Sequence, residues 1–217
     1  MNNPDYAIFT NRNRNKKLVY YPVAKNANSS TKLFLLRHLG LENKFYFIED
    51  EIPSHQITKK TIEKYENKNN LTGFLPPYTR FKKVDVDIKC CIVREPIQRF
   101  LSAYKNRIIF HKDIHFKNHS IDLVLEKLEN NIFENKHFLP QNYWLGDDLN
   151  YFTFVGQIND LSDFINNINN FFEQKKEFPI LQTGGKDSKV SLNSEQIKKI
   201  KIIYEKNYFL LRNIKFK

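Results

Sequence analysis

Strand-like and helix-like runs alternate along this chain, and that alternation constrains the fold more than any other feature. Residues 18–21 (LVYY) are short, aromatic and β-branched, and residues 31–39 follow with Leu33, Phe34, Leu36 and Leu39 in a helical stripe. Residues 45–48 form another short apolar run, and residues 58–67 read as a charged helix. Residues 87–93 (DIKCCIV) are rich in β-formers. Residues 96–109 then place Ile97, Phe100, Leu101, Tyr104 and Ile108 on one helical face. Residues 149–156 (LNYFTFVG) predict a strand and residues 161–172 a helix. Asn193 stands three residues before Gln196, a capping pattern ahead of a helix with Ile197, Ile200, Ile203 and Tyr204 inward. Strands separated by helices predict an α/β fold: a three-layer sandwich whose central, mostly parallel sheet is covered on both faces. At 217 residues, with 19 Phe and 11 Tyr, the chain can bury a core as one domain over 1–217. Residues 1–16 read as a polar arm free to flex.

Charge narrows the function. Lys and Arg number 35 against 24 Asp and Glu, a net +11. An anionic partner accounts for that excess, whether nucleic acid, phosphorylated small molecule, acidic glycan or membrane surface. Solubility charge in a lysine-rich proteome accounts for it equally. Six glycines amid abundant Asn, Lys, Ile, Phe and Tyr match AT-rich codons and a bacterial or viral source. Cys90 and Cys91 are neighbours, and in a strand they point to opposite faces, so no disulfide framework is expected. No signal-peptide core and no run of about 18 apolar residues is present, so the expectation is a soluble, cytoplasmic protein.

In a parallel sheet, ligands collect at the C-terminal ends of strands, so two strand-to-helix junctions matter. The first is YYPVAKNANSSTK, residues 20–32. Its small residues allow close approach to a helix N-terminus, which favours an anion, and Lys25 adds a full charge there. It lacks Gly-Lys-Ser/Thr and has no glycine, so it is not a nucleoside-triphosphate loop. An ordinary capped helix is the competing reading. The second junction is CIVREPIQRFLSAY, residues 91–104. Arg94 stands at the strand end, Pro96 at a natural first helical position, and Arg99 and Ser102 three apart on one face. Arg94 reaching an anion beside Ser102 is one reading; a pair between Arg94 and Glu95 is the other.

Together the two junctions resemble the sulfotransferases, in the branch that holds the carbohydrate enzymes such as the chondroitin 4-O and heparan 2-O sulfotransferases. AKNANSST is similar to their 5′-phosphosulfate loop. Val93, Arg94, Pro96, Arg99, Ser102 and Tyr104 fit their motif Val-Arg-x-Pro-x-x-Arg-x-x-Ser-x-Tyr. HFLPQNYWL and YFTFVGQINDL resemble their His-x-x-Pro-Gln and Val-Gly-x-x-Glu segments, and the C-terminal IKKIKIIYEKNYFLL their closing helix. The resemblance implies a P-loop-like phosphosulfate-binding loop and a site for 3′-phosphoadenosine 5′-phosphosulfate (PAPS), whose product is 3′-phosphoadenosine 5′-phosphate (PAP). Lys25, Asn26, Ala27, Asn28, Ser29, Ser30 and Thr31 would hold the 5′-phosphosulfate, and Arg94 and Ser102 the 3′-phosphate. Such a site needs no metal. The chain departs from the pattern at Ala24, where the family has Pro, at Asn28 inside the loop and at Asn159 for the glutamate. Thr72-Gly73-Phe74 stands where the heparan 2-O enzymes carry a His-Gly-His base.

Sulfuryl transfer to a hydroxyl requires a base for the acceptor's proton. His137, in a polar loop beside Pro140, Gln141 and Trp144, is the first candidate and His55 the second, with Glu49, Asp50 and Glu51 as carboxylate alternatives. Lys186, in QTGGKDSK, either closes over the nucleotide or belongs to a plain loop. The expected function is transfer from PAPS to a sugar or other hydroxyl-bearing acceptor, without nucleic acid as partner. The competing classes are a basic nucleic-acid-binding module and a non-catalytic PAP-binding relative.

Overall fold

The computed structural model describes residues 7–42, 71–72, 80–113, 119–133, 135–181, 185 and 188–216. Five strands form one sheet: β1 (Ala7–Asn11), β2 (Lys16–Tyr21), β3 (Leu71–Thr72), β4 (Ile88–Val93) and β5 (Phe154–Gln157), in the order β3-β1-β2-β4-β5. β2 pairs in parallel with β4, and β4 with β5. β1 is antiparallel to both β2 and β3, so it alone runs against the rest of a mostly parallel sheet.

Alternation along the central strands sends side chains to two cores. Leu18, Tyr20, Cys90 and Ile92 pack on one face against α1 (Asn28–His38) and α5 (Ser162–Phe172). Val19, Tyr21, Cys91 and Val93 pack on the other against α4 (Gln141–Leu145) and α7 (Glu205–Leu210). The two cysteines therefore face opposite layers and are both free. A third core gathers α2 (Pro96–Tyr104), α3 (Ile121–Glu129) and α6 (Ser194–Ile203) around Phe100, Tyr104, Val124, Phe138 and Ile200. Asn193 and Gln196 form the expected reciprocal capping box at the start of α6.

Several elements differ from the sequence reading. The arm expected over residues 1–16 contains β1, because Phe9 is fully buried against Phe172 and the β2 register anchors it. The helix expected from residue 31 starts at Asn28, since Ala27 turns the chain sharply through a left-handed conformation. The helix expected over 96–109 is α-helical only to Tyr104, then widens into a π segment (Lys105–Phe110). The strand expected over 149–156 begins at Phe154, after a short 3₁₀ turn (Leu149–Tyr151). The predicted runs at 45–48 and 58–67 lie outside the described residues. Among the described residues, no helix is long and apolar enough to cross a membrane.

Candidate active site

The chain leaves β2, β4 and β5 at one edge of the sheet, and the segments that follow enclose a cavity of about 490 Å³. After β2 come Lys25, Ala27, Asn28, Ser29 and Ser30; after β4 come Arg94 and, further along α2, Ser102; His137 joins them. The rest of the lining is apolar: Ile158, Leu161 and Ile165 after β5, and the segment 178–181, Phe-Pro-Ile-Leu, whose Leu181 N–H donates to Ser30 Oγ (3.0 Å). Among the described residues, no carboxylate lines this cavity.

The loop after β2 achieves its turn without glycine. Lys25 (φ 70°) and Ala27 (φ 53°) both occupy the left-handed region, which costs on the order of 1–3 kcal/mol for each non-glycine residue. Surrounding hydrogen bonds hold it there. Asn26 donates its side-chain amide to the Ile92 carbonyl (2.8 Å) and to Gln141 Oε1 (2.7 Å), and its backbone N–H goes to the Val23 carbonyl. Arg94 Nη1 donates to the Lys25 carbonyl (3.1 Å). The first intrahelical bond of α1 runs from Thr31 N–H to Ala27 O. The N–H groups of Ser29 and Ser30 precede it and have no carbonyl within the helix, the arrangement that makes a helix start receptive to anions.

Two buried side chains brace the cavity from behind. Arg99, only 2% exposed, donates from Nε to the Ala24 carbonyl (2.9 Å) and from Nη2 to the His137 carbonyl (3.2 Å). It joins the loop to the histidine segment. Gln141, fully buried, accepts from Asn26 Nδ2 and Arg94 N and returns a bond to Arg94 O (2.8 Å). It joins the loop to the end of β4. Both residues stand in the quoted motifs, Arg99 beside Ser102 and Gln141 as the glutamine of His-x-x-Pro-Gln, but neither carried an expected bracing role. Their bracing bonds reach 75 and 115 residues along the chain, which no local pattern signals.

The site is electrostatically unbalanced in favour of anions. Burial, then Arg94, Arg107 and Arg99, bring the Lys25 ammonium down to about 7. Burial, then Arg107, Lys25, Lys136 and Arg99, bring His137 down to about 3 and keep its ring uncharged at neutral pH. Among the described residues, Arg94 Nε is buried without a hydrogen-bond partner. The cations gathered at the cavity repel one another, and an anion entering it relieves that repulsion.

Of the predicted residues, Lys25, Ala27, Asn28, Ser29, Ser30, Arg94, Ser102 and His137 meet at this cavity. Asn26 and Thr31 do not line it. Both are fully buried and turned to internal partners, Thr31 donating its hydroxyl to Ala27 O (3.0 Å). His55, Lys186, Gly73, Phe74 and the carboxylates Glu49, Asp50 and Glu51 lie outside the described residues. Glu95 caps α2 by accepting from Gln98 N–H and also accepts from Tyr208 Oη (2.8 Å), so it anchors the helix.

A mostly parallel sheet with a cavity lined by cations beyond its strand ends is an α/β arrangement, and such sheets bind ligands outside the carboxyl ends of their strands. Residues 9–211 match the model of the sulfotransferase family, and the chain belongs to that family. No curated protein and no solved structure matches it.

Proposed function

We propose that this protein moves a sulfuryl group from PAPS to a hydroxyl of a carbohydrate. One observation carries the reading. Lys25, the start of α1, Arg94, Ser102 and His137, drawn from three separate stretches of chain, line one cavity, and no carboxylate lines it among the described residues. The cavity also fits such a donor in kind. Its cationic lining residues suit phosphate and sulfate, its apolar lining residues suit a flat base, and its volume lies within the roughly 300–1,000 Å³ of small-molecule sites. The carbohydrate acceptor rests on the resemblance of residues 93–104 to the carbohydrate branch.

PAPS supplies the sulfuryl group and leaves as PAP. Lys25 and the first turn of α1 hold the 5′ end, and Arg94 with Ser102 hold the 3′-phosphate. The Lys25 ammonium stabilises charge that builds on the departing phosphate oxygen. His137 takes the acceptor hydroxyl's proton. In the free protein burial, and then its neighbouring cations, make it a weak base; a bound polyanion offsets the cations and raises its basicity.

Sulfur-labelled PAPS offered with a panel of neutral and uronic-acid oligosaccharides tests the reading. The expected result is label on at least one oligosaccharide, lost in His137→Ala while PAP still binds. PAP binding without transfer to any hydroxyl acceptor would leave a non-catalytic nucleotide binder.

A further inference from the structure

His137 is held by a chain of groups outside the cavity. Its Nδ1 lies 2.6 Å from Asn135 Oδ1, and its backbone N–H donates to that same oxygen (2.9 Å). Asn135 Nδ2 in turn donates to Asp113 Oδ2 (2.6 Å), a side chain only 8% exposed. Arg107 Nη2, from the π segment, donates to the same Asp113 oxygen (3.1 Å). Two anchors set the orientation of the Asn135 amide. A carboxylate only accepts, so the amide atom beside Asp113 is the nitrogen. A backbone N–H only donates, so the atom beside His137 N is the oxygen. An amide oxygen cannot donate, so the proton in the 2.6 Å contact belongs to His137 Nδ1.

We propose that Asn135, anchored by Asp113 and through it by Arg107, is a positioning residue that fixes His137 as its Nδ1–H tautomer and leaves Nε2 as the ring's proton acceptor. The role of that acceptor rests on the sulfuryl-transfer reading above; the tautomer does not. An imidazole without such a partner distributes its proton over both nitrogens, and a ring protonated on Nε2 has no lone pair there for an acceptor hydroxyl. Asn135 also takes the His137 backbone N–H, so it sets the ring's position as well as its proton.

The test uses long-range nitrogen–proton NMR on the histidine rings of the full chain, without donor or acceptor, beside PAP affinity and PAPS turnover with the oligosaccharide panel. The wild type is expected to show His137 protonated on Nδ1. Asn135→Ala is expected to populate the Nε2–H form and to lose about tenfold to 100-fold in turnover, the scale for partners that orient a functional histidine, while PAP affinity holds within a few-fold. Asn135→Asp keeps an acceptor toward Nδ1 and is expected to restore the Nδ1–H form. If Asn135→Ala does not fold, Asn135→Leu keeps much of the side-chain volume without an acceptor and is expected to populate the Nε2–H form in the same spectrum. An Nε2–H ring in the wild type, or a tautomer unmoved in the Asn135 variant without an acceptor, overturns the proposal whatever the turnover. A tautomer that moves while turnover stays overturns it by removing His137 as the base, and retained PAP affinity in that variant leaves the donor site standing.

Discussion

A buried ammonium gives up its proton more readily than one in water, and more readily still beside guanidinium groups; burial, then Arg94, Arg107 and Arg99, bring Lys25 to about 7. Its charge is unfavourable in the free protein and favourable once phosphate or sulfate is beside it. An electrostatic group of this kind contributes most where charge develops, in the transition state. Lys25→Ala is expected to lower the single-turnover rate by about 10²-fold or more and PAP affinity much less, because PAP keeps Arg94 and Ser102. Arg94 combines a buried, unpartnered Nε with a place on the cavity wall, so Arg94→Ala is expected to reduce nucleotide binding first. Affinities and single-turnover rates measured side by side for the two variants check this. A Lys25→Ala protein that keeps its rate would remove the loop from the chemistry.

At the scale of elements, the loop between β2 and α1 holds two left-handed residues without glycine, and its conformation depends on the partners around it. Gln141, itself fully buried, makes three hydrogen bonds that join this loop to the end of β4. Gln141→Ala leaves the Arg94 N–H and carbonyl without that partner, and each buried polar group so exposed costs about 1–3 kcal/mol. The expected result is a loss of about 2–4 kcal/mol in denaturant unfolding together with weaker PAP binding; unchanged stability would contradict the brace. The positions of Lys25, Arg94, Ser102 and His137 were legible in the sequence because their junctions carry local spacing and a family motif. The braces were not. Arg99 to Ala24, Gln141 to Asn26 and Asn135 to Asp113 are tertiary hydrogen bonds that no periodicity records. β1 was missed because its one deeply buried apolar side chain, Phe9, is followed by the polar run TNRNRNKK, and Asn11, the other deeply buried residue, is itself polar. The π segment was missed because Tyr104 and Ile108 keep a helical spacing across the point where the backbone widens.

At the scale of the molecule, buried cationic groups tie stability to pH. His38, 1% exposed and stacked on Phe172 at 4.5 Å, is brought down to about 4 by burial and then by Lys176, and His137 stands at about 3. In the unfolded chain both take up protons near 6.5. Between about 6.5 and 4 the unfolded state therefore binds more protons, and stability falls as pH falls. The unliganded protein is expected to melt at progressively lower temperature from pH 7 to pH 5, and His38→Phe to flatten that slope; an unaltered slope would contradict the buried, neutral ring. The same imbalance of cations, concentrated at the ends of β2 and β4, is what a nucleotide with phosphates at both 3′ and 5′ positions would neutralise. Titration calorimetry of the wild type and Arg94→Ala with PAP and with AMP tests that most directly. PAP is expected to bind the wild type at least about 30-fold more tightly than AMP, equivalent to about 2 kcal/mol of charge-assisted hydrogen bonding, and Arg94→Ala is expected to erase most of the difference. Equal affinities for PAP and AMP in the wild type would contradict a site built around the 3′-phosphate.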